Sequence, residues 1–279
     1  MIVDAHQHFW DPRRRHYPWM GAGLEVLRRP FGPEDLRPLL AAAGIDRTIL
    51  VQTVSSLEET EEFLATAAAT DFIAGVVGWV DLAGPAVADD LAALLARPDG
   101  RYLRGIRHQV HDEADAEWLL RPAVRRGLAA VGRAGLTYDL LTRTRELPAC
   151  LAVARAHPEM RFVIDHLAKP PIAGGATHDW AAGLAPFAGL PHVWCKLSGL
   201  VTEADWRRWR PVDLVPYVAR GLQWFGEDRV IYGSDWPVCL LAADYGRVKS
   251  ALEEAIGPLD AAARAKLFGG NARAAYGLT

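Results

Sequence analysis

Cysteine is scarce in this chain. Its three thiols, Cys150, Cys195 and Cys239, are odd in number and share no zinc-knuckle spacing. Neither a disulfide framework nor a cysteine metal site is expected, and the thiols read as reduced, as in a cytoplasmic protein. No stretch reaches the ~18 consecutive apolar residues of a membrane span. The opening residues meet Asp4 and His6 too early to form a secretory apolar core. An excess of one charge is missing as well: 31 basic and 34 acidic residues give a formal net charge of -3. That balance excludes the electrostatic footprint of a nucleic-acid or anionic-membrane partner. Low-complexity linkers, internal repeats and a Gly-x-Gly-x-x-Gly turn after the first apolar run are also absent. What is present is a 279-residue chain with 51% hydrophobic residues, enough to bury a large core, and it reads as one domain over residues 1–279.

Short apolar, β-branched runs recur at near-regular intervals: Ile2 to His6, Thr48 to Thr53, Ile73 to Val80, Leu103 to His108, Leu136 to Leu140, Phe162 to His166, Val193 to Lys196 and Val230 to Ser234. Between them lie segments with helix punctuation. Glu34-Asp35 opens one that Gly44 closes, Leu57 to Ala69 and Val87 to Leu95 carry two more, and Leu147 to Ala156 ends before His157-Pro158. Strands alternating with helices imply a parallel sheet, because parallel neighbours need a helical crossover. Eight such units in about 250 residues are the size of a (β/α)8 TIM barrel of the α/β class. An open doubly wound sheet is the alternative, disfavoured by the missing dinucleotide fingerprint.

Polar residues gather at the C-terminal ends of these strands. They are His6 and His8, Gln52, Trp79 and Asp81, Arg107 and His108, Asp139, Asp165-His166, Lys196 and Ser198, and Ser234-Asp235-Trp236-Pro237. In a barrel those ends converge on one mouth, where active sites are built. His6 and His8 are two apart, so an extended strand projects both imidazoles the same way. Each group also has a plainer reading. Asp139 and Asp235 are candidate helix caps, although the proline-fixed turn after Asp235 suits a helix start poorly. His166 could be a core histidine satisfied by a carbonyl. Lys196 is expected at the rim, because a charge inside the barrel must be paired. Of the consecutive Arg107 and His108, only one can point inward. His111, His157, His178 and His192 read as loop or surface residues, and Trp118, Trp206, Trp209 and Trp224 as packing. Trp10, Trp79 and Trp236 follow mouth positions and could form apolar walls against a sugar-like ring.

The motifs His6-Gln7-His8-Phe9-Trp10, Gly105-Ile106-Arg107-His108-Gln109, Lys196-Leu197-Ser198-Gly199-Leu200 and Tyr232-Gly233-Ser234-Asp235-Trp236-Pro237 together resemble the amidohydrolase superfamily. They are most similar to its sugar-lactonase and dicarboxylate-lactonase branch, amidohydrolase family 2, and the resemblance spans essentially the whole chain. It implies a distorted (β/α)8 barrel with His6, His8, His166 and Asp235 lining the reaction centre. It also implies hydrolysis of a sugar (aldono)lactone, L-fucono-1,5-lactone or a related L-sugar lactone, as the small-molecule partner. The chain departs from the two-metal pattern of the superfamily. Arg107-His108 and Asp139 stand where a bridging lysine or glutamate of strand four and a histidine of strand five would be. At most one divalent ion, zinc on His6, His8, His166 and Asp235, is implied, and members of this branch work without an essential metal.

The chemistry needs an activated water, a polarised carbonyl and a proton returned to the leaving alkoxide. Asp235 is the candidate for the proton shuttle. His6, His8 and His166 are candidates for polarising the carbonyl, directly or through the metal. Gln52, Trp79, Arg107, His108, Asp139, Lys196 and Trp236 are the candidate substrate-binding groups. Four rival functions stay open: a zinc-dependent decarboxylase of a small carboxylic acid, a hydrolase of a dicarboxylate lactone, a metal-dependent amidase, and a barrel that binds a sugar acid without chemistry.

Overall fold

The architecture follows from a computed structural model of the chain, which describes residues 1–278. Eight parallel strands form one sheet in sequence order: β1 (Val3–Gln7), β2 (Arg47–Val51), β3 (Ile73–Gly78), β4 (Leu103–His108), β5 (Thr137–Leu140), β6 (Phe162–Ile164), β7 (Val193–Leu197) and β8 (Val230–Tyr232). The sheet curls until its edges meet. Gln7 bridges Trp236 in parallel, the His8 amide donates to the Trp236 carbonyl (2.8 Å), and the Asp235 amide donates to the His6 carbonyl (2.8 Å). The result is the expected (β/α)8 barrel.

Helices on the outside return the chain: α1 (Pro33–Ala43), α2 (Leu57–Ala69), α3 (Val87–Ala96), α4 (Pro122–Arg133), α5 (Leu147–Ala156), α6 (His178–Leu184), α7 (Leu200–Glu203), α8 (Pro211–Phe225) and α9 (Tyr245–Ile256). Their local causes are ordinary. Pro33 sits in the first turn of α1, and Gly44 ends that helix in the left-handed region with φ +67°. Ser56 caps α2 by accepting from the Glu59 amide. Two short helices follow, α10 (Ala261–Ala265) and α11 (Asn271–Tyr276).

Helix α11 closes the bottom of the barrel. Ala272, Ala275 and Tyr276 pack on the inward Val3, Ala5, Ile49, Val51, Val77, Val163 and Ile231 in an apolar cluster separate from the larger core between sheet and helices. Val3 and Ala5 belong to this inner cluster, yet His6 also reaches groups inside the barrel. The register of β1 against β2 shifts between Asp4 and Gln7. Such an irregularity adds a residue on one strand and re-aims the side chain beside it. Asp4, fully buried, fixes this place: its carboxylate accepts from the His6 amide (3.1 Å), the Ser234 amide (2.8 Å) and the Tyr245 hydroxyl (2.8 Å). Among the described residues no helix is long and apolar enough to cross a membrane.

Candidate active site

The mouth of the barrel holds a cavity of about 350 Å³, within the range of small-molecule sites, roughly 300–1,000 Å³. His8, His166, Asp235 and Arg107 form its floor, Trp10 and Trp19 one wall, and Gln109, His111, Asp112, Arg143 and Lys169 the rim. Three imidazoles converge on one carboxylate oxygen. From Asp235 Oδ1 the Nε2 atoms of His8, His6 and His166 lie 3.4, 3.8 and 3.9 Å away.

The far side of each ring is held. His8 Nδ1 donates to the Val51 carbonyl at 2.7 Å, which turns its Nε2 toward Asp235. His166 Nδ1 is 2.8 Å from Ser198 Oγ. His6 Nδ1 lies 3.3 Å from Asp165 Oδ1, and its Nε2 accepts from the Arg107 guanidinium at 3.2 Å. Burial holds His6 and His166 well below the ordinary imidazole value, so both are neutral at physiological pH. Burial pushes the Asp235 carboxyl up, but the imidazoles of His166 and His8 and the Lys169 ammonium outweigh it and leave Asp235 below the usual 3.8.

The backbone is distorted where these groups project. Asp235 has φ +58°, and His166, Leu167, Ala168 and Lys169 are four consecutive non-glycine residues at φ between 50° and 57°. The left-handed region costs roughly 1–2 kcal/mol per L-residue, and such strain persists where surrounding structure over-determines it, often at functional sites. Here burial of Leu167 and Ala168 and the Trp180 indole, which donates to the Leu167 carbonyl at 2.7 Å, pin the turn. Gly199, itself at φ +62°, lies against the His166 ring. A Cβ there would come within 2.6 Å of Nδ1, so only glycine lets the ring approach.

Beneath the floor runs a network of buried charges. Arg107 donates to Asp165 Oδ2 (3.0 Å) and to Gln52 Oε1 (2.7 Å). Lys196 contacts Asp139 Oδ2 (2.7 Å) and Asp165 Oδ1 (2.9 Å), and the Tyr276 hydroxyl donates to Asp139 (2.7 Å). Lys196 is therefore not at the rim: it is fully buried inside the barrel, where two carboxylates supply the pairing that an isolated charge would lack. Asp139 serves this network and caps no helix. Arg107 is the inward member of its pair. His108 faces outward, stacked on Trp118 at 4.1 Å, receiving the Trp79 indole N–H at 3.0 Å and contacting Glu113 at 2.9 Å.

Of the expected substrate-binding groups, Arg107 lines the cavity. Gln52, Asp139 and Lys196 lie below it, Trp79 and His108 outside the barrel wall, and Trp236 packs against Phe9 and Phe31. Several lining residues have no strand-end signature. His111, expected at the surface, lines the cavity, as do Trp19, Gln109, Asp112, Arg143 and Lys169, beside Thr53 from the end of the second run. Trp19 arrives on the long loop between β1 and α1, its indole donating to the Thr53 carbonyl at 3.0 Å.

Two overlapping donor groups have the spacing of a metal site: His6, His8 and Asp235, and His6, Asp165 and His166, with ligand atoms within 4.8 Å of one another. Zinc bonds of about 2.0–2.2 Å in a tetrahedron put ligand atoms roughly 3.3–3.5 Å apart, close to the spacing around Asp235 Oδ1. The donors there have the spacing for one zinc ion: His8 is held from behind at Nδ1, as ligand histidines usually are, and a bound ion would take His6 Nε2 from the Arg107 guanidinium. The second group does not fit, because Lys196 and Arg107 already occupy both oxygens of Asp165.

Residues 3–278 match the amidohydrolase family. An L-fucono-1,5-lactonase of Burkholderia ambifaria is 44% identical over 280 residues, covering 97% of this chain and 93% of that protein. An L-fucono-1,5-lactonase of Burkholderia multivorans is 42% identical over 287 residues, covering 99% and 96%. The crystal structure of an amidohydrolase from Burkholderia multivorans with bound Zn superimposes with a TM-score of 0.94 at 43% identity over 100% of both chains.

Proposed function

The chain belongs to the amidohydrolase family, and from that premise we propose that it hydrolyses a sugar lactone to the free sugar acid, with L-fucono-1,5-lactone or a related L-sugar lactone as substrate. The observation that carries this reading is the convergence of three imidazoles on the Asp235 carboxylate in a cavity of sugar size. Full-length relatives named as lactonases support the ester-type bond as the target.

Asp235, ionised at neutral pH, accepts a proton from the water that attacks the lactone carbonyl. As the water oxygen bonds to carbon and the ring C–O bond breaks, Asp235 returns that proton to the departing ring oxygen. One carboxylate thus serves both transfers, and no net proton is left on the protein before the acid ionises. His6, His8 and His166, with Asp235, are the residues that would hold one zinc ion. When bound, that ion supplies Lewis-acid polarisation of the carbonyl. Arg107, whose guanidinium donors go to Gln52, Asp165 and His6, fixes the His6 ring from below, while Asp139 and Lys196 hold that floor in place. Trp10 and Trp19 offer an apolar wall to the C–H face of the ring and keep bulk water out.

The test is acid release, followed with a pH indicator, from a panel of aldonolactones before and after chelation, alongside carbon dioxide release from small aromatic acids. Turnover of one or more neutral lactones is expected, and the chelated sample reads the share contributed by an ion. Carbon dioxide release without lactone opening would replace this function with a decarboxylase.

A further inference from the structure

The strained turn after β6 delivers two groups to the cavity, and the hydrolytic scheme above uses one. His166 joins the imidazole cluster. Lys169, three residues on and still at positive φ, lines the same cavity. Its ammonium lies 2.8 Å from Glu203 Oε1, at the end of α7, and both side chains are mostly buried, 15% and 14% exposed. Arg143, from the loop between β5 and α5, also lines the cavity and lies 3.9 Å from the second oxygen of Glu203.

Two cations therefore share one carboxylate. Glu203 stands behind them and outside the cavity lining, so the cationic atoms are presented and the counter-charge is withheld. A poorly solvated cation with part of a counter-ion gains from a second anion, and a carboxylate meets lysine and arginine with charge-assisted hydrogen bonds. The neighbouring groups fit this field. Burial, with Lys169, Arg143 and Arg107, pushes His111 down to about 3, so the imidazole stays neutral and adds no competing charge. Asp112, the carboxylate among the rim residues, lies 3.3 Å from His111 and is 58% exposed.

We propose that Lys169 and Arg143 form a carboxylate subsite in the mouth of the barrel, half-neutralised by Glu203, that takes the carboxylate of a sugar acid. The ligand class rests on the lactonase reading; the anion preference rests on the three side chains. The carboxylate comes from one of two sources, the group freed by ring opening or a second carboxylate carried by the lactone itself.

The experiment is direct calorimetric titration of the holoprotein with L-fuconate and with the uncharged fucitol. It is run on wild type, Lys169→Met, Lys169→Arg and Glu203→Gln, each checked for a native circular dichroism spectrum. Titration needs no turnover, so it reads the subsite whether or not the lactone assay succeeds. Lys169→Met is expected to weaken L-fuconate at least about tenfold with fucitol nearly unchanged, and Lys169→Arg to recover most of the loss. Glu203→Gln is expected to tighten L-fuconate severalfold, and this variant decides the matter even where Lys169→Met does not fold. Equal loss of both ligands in Lys169→Met, or weaker L-fuconate in Glu203→Gln, overturns the subsite. A wild-type preference for lactones bearing a second carboxylate, lost in Lys169→Met, assigns the subsite to substrate; product binding without that preference assigns it to the freed carboxylate.

Discussion

Single residues carry the chemistry here because their surroundings split otherwise similar groups into different states. Asp235 and Asp139 are both buried carboxylates at strand ends, yet the imidazoles beside Asp235 hold it below 3.8, while burial, only partly offset by Lys196, brings Asp139 to about 6. In the proposed mechanism the working form of Asp235 is the carboxylate, and its folded pKa lies below the ordinary one. Activity tied to this group is therefore complete above about pH 5 and is lost only as pH falls through that lowered pKa. A pH profile of kcat/KM should show its Asp235 limb below about pH 4, and a limb centred near 6 would assign the base elsewhere. The convergence of His6, His8, His166 and Asp235 was legible in the sequence because strand direction and barrel geometry bring those ends together. Gln52, Trp79, His108, Asp139 and Trp236, read the same way, do not line the cavity. Lys196 was misread because its partners, Asp139 and Asp165, are 57 and 31 positions away, a pairing only the closed barrel makes. Trp19, Arg143 and Lys169 sit on loops, where no periodicity announces direction.

At the scale of elements, the bottom of the barrel is connected to its mouth. Tyr276 of α11 donates to Asp139 of β5, Asp139 pairs with Lys196 of β7, and Lys196 meets Asp165, which anchors Arg107 of β4 and faces His6 of β1. A C-terminal helix thereby braces the floor of the site. Removing the Asp165 charge leaves buried Arg107 without a carboxylate partner and Lys196 with Asp139 alone. Asp165→Asn is expected to cost roughly 3–5 kcal/mol and lower Tm by on the order of 10 °C, measurable by thermal denaturation. A change within 2 °C would mean that water or another group already solvates Lys196 and Arg107. The regular helices followed from the sequence, Leu57–Ala69 and Leu147–Ala156 residue for residue. The β1 shift between Asp4 and Gln7 did not, because alternation alone cannot show an added residue in a strand.

For the whole molecule, closure of the sheet is what makes the site. His6 and Asp235 lie 229 positions apart along the chain and meet where β1 and β8 seal the barrel. Gly233 makes the seal possible, since a Cβ there would come within 2.8 Å of the His6 Cβ. Eight apolar runs with polar C-terminal ends were sufficient to read the fold and the central cluster, because a parallel barrel leaves one place for those ends to go. The outer half of the cavity was not readable in that way, because loop conformation decides which rim side chains turn inward. The central claim, that Asp235 drives lactone opening at this seam, is tested most directly by kcat/KM for the best-turned-over aldonolactone in wild type and in folded Asp235→Asn. The account predicts a loss of at least ~100-fold with Tm nearly preserved; retention of near-full turnover in the amide variant would contradict it.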